Sequence, residues 1–109
     1  MEPTEVEERL ASRPYPRVTQ ESIRDKIRNT EYLFSRSHTG LTICILTLSN
    51  GFFVIGKSAP ADPRNHDPEL GKHYAYEDAF KQIWPLEGYL LKERLALTSD
   101  DPPATDPTA

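Results

Sequence analysis

Apolar residues in this chain follow two different periods, and the switch between them marks its elements. Ile23 and Ile27 share one face of a short helix, with Arg24, Lys26 and Arg28 turned elsewhere. Thr19 stands where it can cap that helix and Val18 where it can pack on Ile23, so the helix is expected to end near Asn29. From Glu31 the period becomes twofold: Tyr32 and Phe34 alternate with Leu33 and Ser35, the pattern of a half-buried strand. His38-Thr39-Gly40 reads as a turn. Residues 41–48 (LTICILTL) are apolar or β-branched on both parities, which predicts a central strand covered on two faces. Asn50-Gly51 is a hairpin signal, because both residues tolerate positive φ, and residues 52–57 should therefore pair antiparallel with that strand.

Residues 58–67 (SAPADPRNHD) show no period and read as an irregular loop. Asp67-Pro68-Glu69 has the form of a capped helix start, although Gly71 weakens the first turn and moves the expected regular helix to Lys72. Ala75, Ala79, Phe80 and Ile83 then recur at helical spacing, and Trp84-Pro85 marks a break, since proline disfavours helix in the residue before it. Leu86, Leu90, Leu91 and Leu95 give a further helix its apolar face, and Gly88 leaves room for another backbone. The fold class is α+β: a short N-terminal helix, an antiparallel three-stranded meander, and C-terminal helices with a break near Trp84-Pro85.

Composition sets the boundaries of this domain. Of the ten prolines, three precede Arg17 and three follow Asp101. The ends therefore read as disordered tails, over residues 1–17 and 98–109, around one domain at residues 18–97. The tails carry the whole net charge of −4, while residues 18–97 hold ten acids and ten bases. A balanced domain of this kind implies neither nucleic-acid affinity nor mimicry of it. The apolar runs are far shorter than the ~20 residues that span a bilayer, so no membrane segment is expected. Cys44 is the single cysteine, and with no signal-peptide pattern it points to a reducing, cytoplasmic compartment. About 80 ordered residues bury only some 60–65% of their unfolded surface. Self-association, at least to a dimer, is therefore expected, with Phe53, Tyr89 and Leu90 as surface to be covered.

Candidate chemistry is sparse. His66-Asp67 with His73 lacks any zinc spacing, and Cys44 in the most apolar strand reads as a small hydrophobe rather than a nucleophile. No GxSxG, phosphate-cradling glycine loop, dinucleotide fingerprint or HExxH occurs, so no cofactor is expected. Binding is the better reading. Around the loop the sequence gathers Phe52, Lys57, Arg64, Asn65, Asp67 and Lys72, to which Arg28 is added as a further cation. An aromatic ring can stack on a base, an amide can read a base or ribose edge, and cations can neutralise phosphates. The set suits a small anionic nucleotide ligand, with Arg64 and Asn65 at its centre. The plain alternative is a core Phe52, a turn-capping Asn65 and solvated cations.

RVTQESI, Tyr32, TICILTLSNGFFVIGKSA, DPRNHDPELG and IWPLEGYLL, in that order, resemble the Gp-forty-nine-like family of small tailed-phage and prophage proteins. The resemblance spans residues 17–91. One departure is His66, where the family pattern expects Phe after the loop asparagine. The resemblance implies a host-takeover or counter-defence role in the cytoplasm of an infected bacterium. In architecture the chain also resembles the anti-Thoeris sponge proteins of phages, which sequester cyclic ADP-ribose signals made by TIR enzymes. That likeness implies stoichiometric capture without catalysis. Two alternatives stand beside it: an anti-CRISPR-like inhibitor that binds a host or defence enzyme, and a structural virion accessory protein. A sponge requires a concave site, whereas a protein inhibitor requires a broad exposed patch.

Overall fold

The computed structural model describes residues 2–11 and 15–98. Their elements are α1 (Pro3–Ala11), α2 (Gln20–Lys26), β1 (Ile27–Phe34), β2 (Thr42–Leu48), β3 (Phe53–Ser58), a single 3-10 turn (Pro63–Asn65), α3 (Pro68–Phe80) and α4 (Ile83–Thr98). The three strands form one antiparallel sheet in the order β1-β2-β3. The α+β architecture is thus the one the periodicities predict. Helix α1 falls in the segment read as an N-terminal tail. The acidic tail lies outside the described residues beyond Thr98, which ends α4.

Thr19 caps α2 in a reciprocal box: its hydroxyl accepts from the Ser22 N–H at 3.0 Å, and the Ser22 hydroxyl accepts from the Thr19 N–H at 3.0 Å. The helix stops at Lys26, short of the expected Asn29, because Ile27 is already extended (φ −80°, ψ 115°) and pairs with Leu48. A register shift between Ile27 and Asn29 leaves Arg28 unpaired in the ladder. Here sheet pairing outcompetes helix propensity. At the hairpin, Gly51 takes φ +93°, the Leu48 carbonyl accepts from the Gly51 N–H at 2.9 Å, and Asn50 Oδ1 accepts from the Phe52 N–H at 2.9 Å. The Leu48 N–H also donates to the Phe52 carbonyl at 2.7 Å, which closes a three-residue loop over 49–51 with Gly51 at its positive-φ position.

Helix α3 lies against one face of the sheet through a stripe of small residues, Gly71, Ala75 and Ala79, all buried. The sheet meets them with Thr42, Cys44, Leu46, Val54 and Gly56. A Cβ on Gly56 would run into the Ala75 carbonyl and the Ala79 nitrogen, and one on Gly71 would stand 2.7 Å from Thr42 Oγ1. These two glycines set the helix-to-sheet distance. Helix α3 begins at Pro68 rather than Lys72, because Asp67 Oδ1 accepts from the Glu69 N–H at 3.0 Å and the first turn is held despite Gly71. Thr42 Oγ1 is buried and without a hydrogen-bond partner.

The expected break between the C-terminal helices is present as a turn at Lys81 and Gln82, with Pro85 in the first turn of α4, where no N–H is needed. Ile83 is fully buried and Glu87 nearly so, and Glu87 Oε1 pairs with Lys26 Nζ at 3.2 Å, tying α4 to α2. Two expectations for α4 fail. A Cβ on Gly88 would meet nothing within 4 Å, so no backbone approaches there. Leu86, Leu90 and Leu95 are exposed, because past Glu87 no described element covers the helix.

Residues 41–48 carry the largest correction. One face of β2 (Thr42, Cys44, Leu46, Leu48) is buried, but the other (Ile43, Ile45, Thr47) is covered by no described element. Its flanks are exposed as well, at Leu33 on β1 and at Phe53 and Ile55 on β3. A chain this short supplies helices for one face only.

Candidate functional site

The loop after β3 holds three of the candidate residues, Arg64, Asn65 and Asp67, and the two charged ones among them are locally committed. Arg64 folds back on Asp62: Nη2 lies 2.6 Å from Oδ2 and Nε lies 3.0 Å from Oδ1. These hydrogen bonds hold the Asp62 carboxyl below the usual carboxylate range and neutralise the arginine within its own turn. Asp67 caps α3. Asn65 is exposed and, with Asp67, His66, Pro60 and Tyr74, lines a pocket of about 240 Å³. That is small beside the ~300 Å³ at which ligand sites begin.

The remaining candidates do not converge there. The Lys72 ammonium lies 5.6 Å from the Tyr32 ring centroid and 5.9 Å from that of Phe34, a cation-π seat at the β1 edge. The exposed Lys57 donates its backbone N–H to Asp78 Oδ2 at 3.0 Å. Phe52 lies at the opposite end of β3 from the loop, where with Leu48, Leu86, Tyr89 and Leu90 it lines an apolar cavity of about 260 Å³. Arg28 sits exposed at the β1 bulge. Residues adjacent in sequence separate by about 3.3 Å each along a strand, so β3 alone puts roughly 20 Å between Phe52 and the loop.

A larger groove, about 380 Å³, opens between α2, α3 and the start of α4. Gln20 and Arg24, four apart, come from α2. His73, Tyr76, Glu77 and Phe80 come from the α3 face beside its small-residue stripe. Lys81 and Trp84 close the end. The Tyr76 and Phe80 rings stack at 5.8 Å and 29°. Arg24 Nη2 donates to Gln20 Oε1 at 3.5 Å, His73 Nε2 lies 3.4 Å from Glu77 Oε1, and Lys81 Nζ lies 3.0 Å from Asp78 Oδ1. A second cleft, about 520 Å³, runs from α1 to Trp84 and shares Gln20 and Trp84 with the groove.

This groove supplies what the loop was expected to supply: flat aromatic surface, an amide, and two cations from different elements. Sequence spacing hides it, because it sets Phe80 on one helical face with Ala75, Ala79 and Ile83, reads Trp84 as a break and singles out neither Tyr76 nor Arg24 as a site residue. The available signal was the i, i+3, i+4, i+7 series from His73 to Phe80, offset from the stripe that Gly71, Ala75 and Ala79 use for packing. Among the described residues no group of three or more His, Cys, Asp or Glu side chains is placed to hold a metal, and no helix is long and apolar enough to cross a membrane. Burial pushes the Cys44 thiol up from its ordinary pKa, away from thiolate reactivity.

Residues 18–95 match the family model described as Phage protein (N4 Gp49/phage Sf6 gene 66) family. No curated protein and no solved structure matches the chain.

Proposed function

The chain belongs to the N4 Gp49/phage Sf6 gene 66 family of phage proteins, and from that premise we propose that it acts by capturing a small anionic nucleotide, of the cyclic ADP-ribose class, without turning it over. The observation that carries this reading is the groove between α2, α3 and α4, in which Arg24 and Lys81 flank the Tyr76–Phe80 stack and Trp84. An adenine ring stacks on the aromatic wall, the Gln20 amide reads a ribose or base edge, and the two cations meet the phosphates. Capture of a Thoeris-type immune signal is the counter-defence role that fits this chemistry. We read the groove as a binding site rather than a reacting one, since its one carboxylate, Glu77, is paired with His73 Nε2 at 3.4 Å.

Trp84, the single tryptophan, lines the groove and makes the test direct. Titration with cyclic ADP-ribose isomers and cyclic dinucleotides should change its fluorescence, and the ligand should be recovered unaltered after denaturation. Arg24→Ala and Lys81→Ala should each weaken binding about tenfold or more. Asn65→Ala, on the loop pocket, should leave it unchanged, whereas a loss with Asn65→Ala alone would move the site back to the loop. Absence of binding to every member of the panel would overturn the reading. In that event the rival, inhibition of a host or defence enzyme by protein contact, has the uncovered sheet face in its favour.

A further inference from the structure

Sequence pattern and sheet topology leave one surface unexplained by any ligand. On the outer face of the sheet, Ile43 and Ile45 of β2 are flanked by Leu33 of β1 and by Phe53 and Ile55 of β3. Leu33 is 44%, Phe53 56% and Ile55 48% exposed, so about half of each of these large apolar residues stands in water. We propose that this face docks on the same face of a second copy, about a two-fold axis along β2, to form a helix–sheet–sheet–helix homodimer.

Charge arrangement favours a second copy as the occupant. The face carries one acid near its β1 edge, Glu31, and one base at its β3 edge, Lys57, in adjacent cross-strand rows: Glu31 lies level with Ile45 and Ile55, and Lys57 level with Ile43 and Leu33. Rotation about β2 exchanges the two edges. The partner's Lys57 then stands over Leu33, about 7 Å along β1 from Glu31, a distance its four-carbon stem can cover. The same pairing forms twice, as an isologous contact demands.

Area and edges agree with this. Strands of eight, seven and six residues make a footprint of about 23 by 14 Å, so two pleated faces bury on the order of 1,000 Å² in total, the lower bound for a specific interface. Facing sheets pack about 10 Å apart with interdigitated side chains, which the alternation of Ile43, Ile45 and Thr47 permits. Growth of the sheet past β3 is closed, since Asp78 Oδ2 takes the Lys57 N–H at 3.0 Å and Gln82 Nε2 donates to the Ile55 carbonyl at 2.7 Å. Both parities of residues 41–48 are then apolar for a reason: one face meets α3 and the other meets the second copy.

Sedimentation of the full chain from low to high micromolar concentration should show a reversible species at twice the 12.4 kDa chain mass. Ile55→Lys should raise the dissociation constant at least about tenfold with far-UV circular dichroism unchanged. Glu31→Lys and Lys57→Glu should each weaken the dimer about threefold, and the double exchange should restore it. The restoration decides the matter even if Ile55→Lys fails to fold, since both charged residues are exposed and their exchange leaves the core untouched. A monomer at every concentration, or an assembly indifferent to these variants while folded, overturns the proposal. The monomer result would also leave the face free for a foreign protein.

Discussion

The two faces of this sheet are built from the same kinds of residue and have opposite fates. Leu46 and Ile45 are neighbours on one strand, yet Leu46 is fully buried beneath α3 while Ile45 belongs to the uncovered face. Nothing in either side chain distinguishes them. The difference lies in Gly56, Gly71, Ala75 and Ala79, whose missing bulk lets a helix come close on one side only. Burial in a small domain is thus allotted by the partner element, and the strand's own hydrophobicity sets only an upper limit on it.

The contrast breaks most completely at Gly56. Gly56→Ala forces a Cβ into the α3 backbone, which cannot swing away as a side-chain tip can, and should cost at least about 3 kcal/mol in urea unfolding. Next in size, Leu46→Ala should cost about 3 kcal/mol and Ile45→Ala under about 1 kcal/mol when measured on the dilute monomer. A gap between the two that closes as protein concentration rises would show the outer face acquiring a cover.

Lys26→Ala strips the nearly buried Glu87 of its partner and should cost about 1–2 kcal/mol, less than a fully buried pair because Lys26 is itself 37% exposed. Thr42→Val removes the one buried side-chain polar atom left unpartnered among the described residues, and should stabilise by about 1 kcal/mol. Loss of stability in that variant would mean that Thr42 finds a hydrogen bond in solution.

The smallest effect is a pH dependence. The Asp78 carboxyl is held below its ordinary pKa by the Lys57 N–H first and by Lys81 second. A lowered folded pKa makes its contribution complete above about pH 4 and lost as pH falls through the folded value. Solvent screening limits it to about 0.5 kcal/mol. Asp78→Asn should flatten that part of the acid limb in a melting series, and an unchanged limb would assign it to other carboxylates.

Much of the candidate site was hidden for the same reason as the outer face. Phe52, Lys57, Arg64, Asn65 and Lys72 lie within a short stretch of sequence, but a strand and a helix start carry them to different ends of the molecule. Arg24 and Lys81, far apart in sequence, line one groove because α2 and α3 flank it. Asp67 was legible as a helix cap, and that structural duty is where its carboxylate is spent.

Local signals settled what depends on neighbours in the chain. The Thr19 cap, the turn at Gly51, the Asp67-Pro68 helix start and the twofold and helical periods each act over a few residues, and together they determined an α+β meander with C-terminal helices. The order of motifs along the chain likewise carried its kinship to a phage family. Tertiary structure alone decided which face of β2 is covered, where α2 gives way to β1, and which cations share a groove. Those outcomes depend on the distance of closest approach between elements remote in sequence, and that distance is set by the side chains of both partners at once.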